Sequence, residues 1–380
     1  MEAIDPSSPK MGGIDIYSQN LLDYLTKTGC KVTLLGFCQN NASSNNGFSF
    51  IPVACKEGLT GYEYLLRLIA RIPFLRIPTS SIIHVQRPQY LLPFVLFHRK
   101  NPRMVTLHGQ ILDAIRLKRK KVIRLIYQIV ESFVLRHSDI IIAVDEQTNQ
   151  FYQQQYPQLT GKIKVIPIGI DLNKFRLLNR NNLRQKYGFE PNDKIVVYVG
   201  RLEKEKDLDF LLNCSVRLVE SVHEAKIVLV GDGRDRERLE NLARSSGLKR
   251  VYFMGALEPD KIPEILNCAD ILALCSFFEG SPTVVKEALA CGVPVVSTDI
   301  GDVSQVIKSE TTGRVVDKNE DDFTGALIDI LLKKEREKVR IECAESAAKF
   351  GFDQAGAKTV KLYKTLVASG SINSSGGLAN

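Results

Sequence analysis

The stretch DILALCSFFEGSPTVVKEALACGVPVVST, residues 270–298, reads as a strand, a short connection, a helix and a second strand. DILALCS (270–276) and VPVVST (293–298) are continuous apolar and β-branched runs, the pattern of strands covered by helices on both faces. Between them Gly280, Ser281 and Pro282 shape the entry to a helix over 283–290, which puts Glu287 about one turn inside it. A helical connector makes the two strands parallel.

The same grammar extends in both directions. Upstream, strands are expected at KVTLLGF (31–37), FSFIPV (48–53), SIIHVQ (81–86), RMVTLH (103–108), DIIIAV (139–144), KIKVIPI (162–168), KIVVYVG (194–200), AKIVLVG (225–231) and RVYFMG (250–255). Downstream, RVVD (314–317) adds another. Helix-length amphipathic segments separate them, so the fold class is α/β, with two Rossmann-like parallel-sheet halves. The polar stretch 171–193 reads as the junction. It divides a first domain, 1–172, from a second, 173–351, with a helix at about 352–368 expected to pack back onto the first and a disordered tail over 369–380. Only EAID (2–5) stands where the first domain should have its central strand.

Composition agrees with a globular protein: of 380 residues, 44% are apolar and 25% charged. No apolar run is long enough to cross a bilayer, and the first residues lack the basic and apolar pattern of a signal peptide. Eight scattered cysteines with no Cys-x-x-Cys pair read as buried free thiols, so a reducing cytoplasmic setting is expected. No metal-ligand spacing appears, and no cofactor is expected.

Three patches can meet a phosphate-bearing, sugar-like ligand. Gly12 and Gly13 precede an amphipathic helix, where close backbone approach and unpaired amides suit an anion, although a glycine pair also marks a simple tight turn. Arg201 and Lys206, in GRLEKEKD after the strand ending at Gly200, lie where open α/β sheets bind ligands, and two cations there would balance a diphosphate. A solvated charged loop has the same composition. Glu279 and Glu287 can aim one carboxylate at sugar hydroxyls and the other at a ribose diol. Asp207-Leu-Asp209 has the look of an Asp-x-Asp metal motif, but its place at a helix start favours an N-cap.

Taken in order, these motifs resemble family 4 of the retaining glycosyltransferases, of the GT-B fold, over nearly the whole chain. The marks are the Gly-Gly loop with the helix ending in TGCKVTLL, VTLHG with His108, IPIGIDLNKF, VYVGRLEKEKDLDFLL, VLVGDGRDRERLE, VYFMGAL, and Glu279 and Glu287 closing with ALACGVPVV. The resemblance implies two domains facing a cleft and metal-independent transfer from a nucleoside-diphosphate sugar. Arg201 and Lys206 would hold the diphosphate, and Glu287 the ribose. Glu279, with the amides after Gly280 in the segment Gly280, Ser281, Pro282 and Thr283 (Pro282 itself having no N–H), would position the sugar, and Met254 to Leu257, with Gly255 and Leu257 among them, would contact the base. Gly12 and Gly13 would lie near the phosphates and His108 near the reacting sugar. The family usually has glycine at the position of Asp207 and glutamate at that of Gln305.

The formal charge of +8 needs a partner. Arg116, Lys120 and Arg124 recur on one helical face beside Ile126, Ile129 and Phe133, and YEYLLRLIARIPFLRIP (62–78) is also apolar with interspersed arginines. These features suit peripheral contact with an anionic membrane and a lipid-linked or saccharide acceptor. Nucleic acid is not indicated, since no aromatic interleaving accompanies the cations. Competing readings are an inert nucleotide-sugar-binding module, a sugar-nucleotide epimerase, a phosphorylase lacking a visible pyridoxal lysine context, and a dehydrogenase lacking Gly-x-Gly-x-x-Gly in the first half.

Overall fold

The computed structural model describes residues 13–37, 47–54, 61–109, 121–277 and 279–375. The chain divides into two compact units, one of residues 1–169 with 352–380, the other of residues 170–351.

In the first unit β1 (Thr33–Phe37) pairs in parallel with β2 (Ser49–Ala54). A second parallel sheet holds β3 (Ile83–Val85), β4 (Arg103–Leu107), β5 (Ile140–Ala143) and β6 (Ile163–Val165) side by side in that order. The helices are α1 (Gly13–Lys27), α2 (Gly61–Arg71), α3 (Leu92–Phe97), α4 (Lys121–Arg136) and α5 (Glu146–Gln155). Asp145 starts α5 by accepting from the Thr148 amide at 2.6 Å, which satisfies an otherwise unpaired first-turn donor. α4 and α5 are joined by buried Glu131, which accepts from Tyr152 at 2.9 Å and Tyr156 at 3.0 Å. Burial pushes that carboxyl up to about 7.

The final helix, Phe352–Ser375, belongs to this unit. Phe352 stacks edge-on against Tyr17 of α1, and the Tyr363 hydroxyl lies 2.6 Å from His84 Nδ1. The helix extends to Ser375, past the start of the disordered tail expected from 369.

The second unit is built on one six-stranded parallel sheet. Its strands are β7 (Lys194–Val199), β8 (Ala225–Val230), β9 (Val251–Gly255), β10 (Ile271–Leu274), β11 (Val295–Thr298) and β12 (Gly313–Val316). Their spatial order is β12-β11-β10-β7-β8-β9. The chain therefore lays strands outward from β7 in one direction, returns, and lays them outward from β10 in the other. Helices α6 (Arg180–Lys186), α7 (Leu208–Ser221), α8 (Arg236–Ser245), α9 (Ile262–Cys268), α10 (Thr283–Ala290), α11 (Val303–Val306), α12 (Glu320–Leu331) and α13 (Arg336–Ala347) accompany the sheet. Val196, Val197, Leu229, Leu272 and Val296 are wholly buried, as strands covered on both faces require.

All twelve apolar runs read as strands are strands, each within a few residues of its expected bounds. The polar stretch 171–193, read as the junction, lies at the start of the second unit, which begins at Ile170. Asn179 caps α6 by accepting from Asn182, and buried Arg184 reaches Asp270 Oδ2 at 2.8 Å. Hydrophilic composition hid a helix whose buried face is carried by one arginine. Of the cysteines within the described residues, Cys214, Cys268, Cys275, Cys291 and Cys343 are buried free thiols and Cys30 is partly so. Residues 2–5, Cys38 and Cys55 lie outside the described residues.

Candidate active site

The carboxyl ends of β7 and β10 are neighbours in the sheet, and from there the strand order runs apart in both directions. Such a switch point opens a crevice that open α/β sheets use for ligands. The two connections that leave it carry the expected residues.

After β7 the chain is pressed against the end of β8. A Cβ at Gly231, where φ is +135°, would meet the Gly200 carbonyl oxygen at 1.8 Å, so only glycine allows this approach. Arg201 follows, with a side chain 66% exposed and its Nη2 3.4 Å from Glu205 Oε1. A 3-10 turn over Lys204–Lys206 leads to Asp207. Lys206 Nζ forms an ion pair with Glu279 Oε1, and Ser276 Oγ donates to the same oxygen at 3.1 Å. The structure thus joins one expected cation from the β7 connection to one expected acid from the β10 connection. Both expected cations are held by carboxylates of the protein itself.

Asp207 does not cap α7. Its backbone is left-handed, φ 48° and ψ 50°, the sole positive φ outside glycine among the described residues. That geometry turns the carboxylate away from the helix amides, and no side-chain cap bond forms. It reaches Lys318 Nζ instead, at 2.7 Å. Lys318 also donates to the Cys275 carbonyl at 3.1 Å and lies 3.7 Å from the Phe277 ring centroid. The glycine usual at this position in the family is explained by the left-handed turn, and the extra negative charge of aspartate is met by Lys318. Asp209 is committed elsewhere, to the guanidinium of Arg238 through two bonds of 2.6 and 2.8 Å. The two carboxylates of the Asp-x-Asp pattern face different cations.

On the β10 side, Glu279, Gly280, Ser281 and Pro282 lead into α10, which no side chain caps. Thr283 opens the helix, and Glu287 stands one turn in, buried at 8% exposure. Burial pushes its carboxyl up to about 7, against the opposing pull of a Thr283 hydrogen bond and the charges of Lys174 and Lys286. The Ser281 hydroxyl is turned toward Asp302, donating to Oδ2 at 2.7 Å. Gly255 ends β9 at φ 74°, its carbonyl accepting from the Gly231 amide at 2.8 Å, and Leu257 packs on the core nearby. Gln305 is exposed on α11.

In the first unit Gly13 opens α1, and its absent side chain would meet nothing within 4 Å. His108 follows β4, with Nε2 2.9 Å from Gln86 Oε1 and its ring edge-on to Tyr17 of α1 at 4.9 Å. Burial, with the charge of Arg87 adding, lowers its pKa to about 3, so the imidazole is neutral. Gly12, Arg116 and Lys120 lie outside the described residues. Arg124 is half-buried on α4.

The sequence profile described as Glycosyltransferase Family 4 matches residues 11–174, and that of Glycosyl transferases group 1 matches residues 179–350. The chain belongs to this glycosyltransferase family. Among curated relatives it is 29% identical over 258 residues to D-inositol 3-phosphate glycosyltransferase of Corynebacterium jeikeium, covering 64% of this chain and 61% of that protein. It is 28% identical over 229 residues to the UDP-Gal:alpha-D-GlcNAc-diphosphoundecaprenol alpha-1,3-galactosyltransferase of Escherichia coli, covering 59% of this chain and 58% of that one. These matches span little more than half the length of the curated relatives. A solved sucrose-phosphate synthase from Thermosynechococcus elongatus shares the fold at a TM-score of 0.82 and 19% identity, over 97% of this chain and 98% of the other. Its GT-B architecture is therefore that of this family 4 chain.

Four members of the site were not foreseen: Glu205, Lys286, Asp302 and Lys318. Asp207 stood out where the family usually has glycine, but no residue near it in the chain pointed to Lys318. Lys286 was visible as the one cation of TVVKEALA, beside Glu287 in a mostly apolar helix.

Proposed function

We propose that this family 4 chain transfers a sugar from a nucleoside-diphosphate sugar to an acceptor hydroxyl, with donor binding carried by residues 170–351. The observation that carries the reading is the Lys206–Glu279 contact at the switch point, with Arg201 on the first of the two connections and buried Glu287 just beyond the second. A donor diphosphate would take over Lys206 and Arg201 from Glu279 and Glu205. Glu279 is then released toward the sugar, and the open N-terminus of α10 meets phosphate or hydroxyl groups. Glu287 accepts from the ribose diol.

As the C1–O bond to the diphosphate breaks, its electron pair goes to the diphosphate, and Arg201 and Lys206 stabilise the added charge. The acceptor hydroxyl oxygen forms the new C1–O bond on the same face while its O–H bond breaks and the proton passes to the departing diphosphate oxygen, retaining configuration, with no covalent enzyme intermediate and no metal. Neutral His108 acts as a hydrogen-bond partner for a sugar hydroxyl, not as a cation. A uridine donor is favoured by the galactosyltransferase relative's use of UDP-Gal.

The acceptor side points to a membrane surface. On α4 the apolar residues Val122, Leu125, Ile126 and Ile129 are exposed, where a buried face would hold them. α3, packed beside α4, exposes Leu96 and Phe97, and the segment after α2 exposes Phe74. Exposed Arg67, Arg71, Arg99 and Lys100 accompany them. Apolar side chains with cations around them fit an anionic bilayer and a lipid-linked acceptor. No described helix is long and apolar enough to cross a membrane.

The test is calorimetric titration with uridine, guanosine and adenosine diphosphates and nicotinamide dinucleotide, followed by a donor panel read by mass spectrometry against lipid extracts and free sugars. Diphosphate binding with transfer is expected. Nicotinamide binding alone would refute the reading, and binding without turnover of any donor would leave an inert module. For the membrane, Ile126→Ser/Ile129→Ser with Arg124→Glu should lower sedimentation with anionic vesicles. Unchanged sedimentation would remove that part.

A further inference from the structure

Lys286 stands one residue before Glu287 on α10, and its side chain has no exposed area, while that of Asp302 is 6% exposed. Lys286 Nζ donates to Asp302 Oδ2 at 2.9 Å and to Ser281 Oγ at 2.8 Å, and Ser281 Oγ donates to the same Asp302 oxygen at 2.7 Å. The three groups close a ring. Asp302 is itself anchored, its backbone carbonyl accepting from the amides of Gln305 and Val306. Its other carboxylate oxygen, Oδ1, is buried without a hydrogen-bond partner among the described residues. All of its side-chain hydrogen bonds are thus made on the oxygen facing Ser281 and Lys286.

Stability is a poor reason for this arrangement. Desolvating an ammonium and a carboxylate costs several kcal/mol, and apolar side chains of similar volume would fill the space without that cost. What the ring specifies is position. It ties the 279–282 connection to the start of α10 and to the turn before α11. The backbone repeats the constraint, since a Cβ at Gly301 would meet the Gly280 carbonyl oxygen at 1.9 Å. The connection therefore lies directly on the 301–302 turn, with Glu279 at one end and the amides of α10 at the other.

We propose that Lys286 and Asp302, acting through the Ser281 hydroxyl, are positioning residues that set where Glu279 and the α10 amides stand against the transferred sugar. This inference rests on the donor-site reading above. It assigns the Ser281 side chain to the scaffold and not to the ligand.

Three variants test it in the full chain. Ser281→Ala removes the joint but keeps the ion pair, Ser281→Thr keeps the hydroxyl, and Lys286→Met/Asp302→Leu removes both charges together. Readouts are thermal unfolding, calorimetric affinity for uridine diphosphate, and kcat for donor turnover. Displacing Glu279 and the amides by a fraction of an ångström should lower kcat by roughly tenfold or more in Ser281→Ala and the double variant. Uridine diphosphate affinity should stay within about threefold of wild type, because the sugar-facing groups contribute to turnover more than to nucleotide binding. Ser281→Thr should restore kcat. Wild-type kcat in Ser281→Ala would overturn the inference, as would kcat losses that follow thermal stability with no recovery in Ser281→Thr. If the double variant does not fold, Ser281→Ala decides alone. If the wild-type protein binds no nucleoside diphosphate, the donor site itself fails, which is a different result from a failure of the ring.

Discussion

Replacing Glu287 by glutamine should stabilise the ligand-free protein at alkaline pH while weakening its hold on a nucleotide. The carboxyl is buried, and its pKa is raised from 4.5 to about 7. The folded state thus holds a proton that the unfolded chain gives up near 4.5. Between these values the unfolded state binds fewer protons, so stability falls as pH rises. The neutral form's contribution is fully present below about pH 4.5 and lost as pH passes about 7. At about 1.4 kcal/mol per pH step, the loss is about 3 kcal/mol. Glutamine never charges, so the stability of Glu287→Gln minus that of wild type should grow from near zero at about pH 4.5 to about 3 kcal/mol at about pH 8. Glu131 is also raised to about 7 but occurs in both proteins, so it cancels in the difference. Urea denaturation at both pH values measures the gap. A difference independent of pH, or glutamine less stable throughout, would refute the argument that burial controls this group. Losing a charge-assisted bond to the ribose should weaken nucleotide binding by about 10- to 100-fold. Ribose hydroxyls favour the carboxylate, so nucleotide binding near pH 7 should release about half a proton, visible as a buffer dependence of the calorimetric heat.

Asp207→Gly should leave stability within about 1 kcal/mol of wild type, because relief of the left-handed backbone offsets the lost contact with Lys318. Asp207→Ala keeps the strain and loses the contact, and should cost about 1–2 kcal/mol by urea denaturation. Arg201→Ala removes a largely exposed side chain, so its melting temperature should shift by no more than about 2 °C while donor turnover falls by about 100-fold. His108→Gln should lower the rate without removing any limb of the pH–rate profile between about pH 5 and 8, since the imidazole is already neutral there.

Much of this was legible from the chain. β5, β7, β8, β10 and β11 announced themselves as near-continuous apolar runs because they are covered on both faces, leaving little polar alternation to blur them. Glu279, Lys206 and Arg201 could be placed because strand ends and turn residues fix where connections begin. What escaped depended on partners far apart in sequence. Nothing local told that Asp207 faces Lys318, that Ser281 turns toward Asp302, or that Arg184 carries the buried face of α6. The amphipathic period of α4 was visible, but period alone does not say which stripe meets the core. Val134 and Leu135 do so, and Ile126 and Ile129 do not.

The order β12-β11-β10-β7-β8-β9 has an evolutionary corollary. Each wall of the crevice is encoded by its own uninterrupted run of residues, β7 to β9 on one side and β10 to β12 on the other. A genetic crossover in the short segment linking β9 to α9 would exchange one wall whole and leave its opposite intact. Base preference and sugar preference could then be inherited separately, as interchangeable cassettes hinged at a single point in the gene.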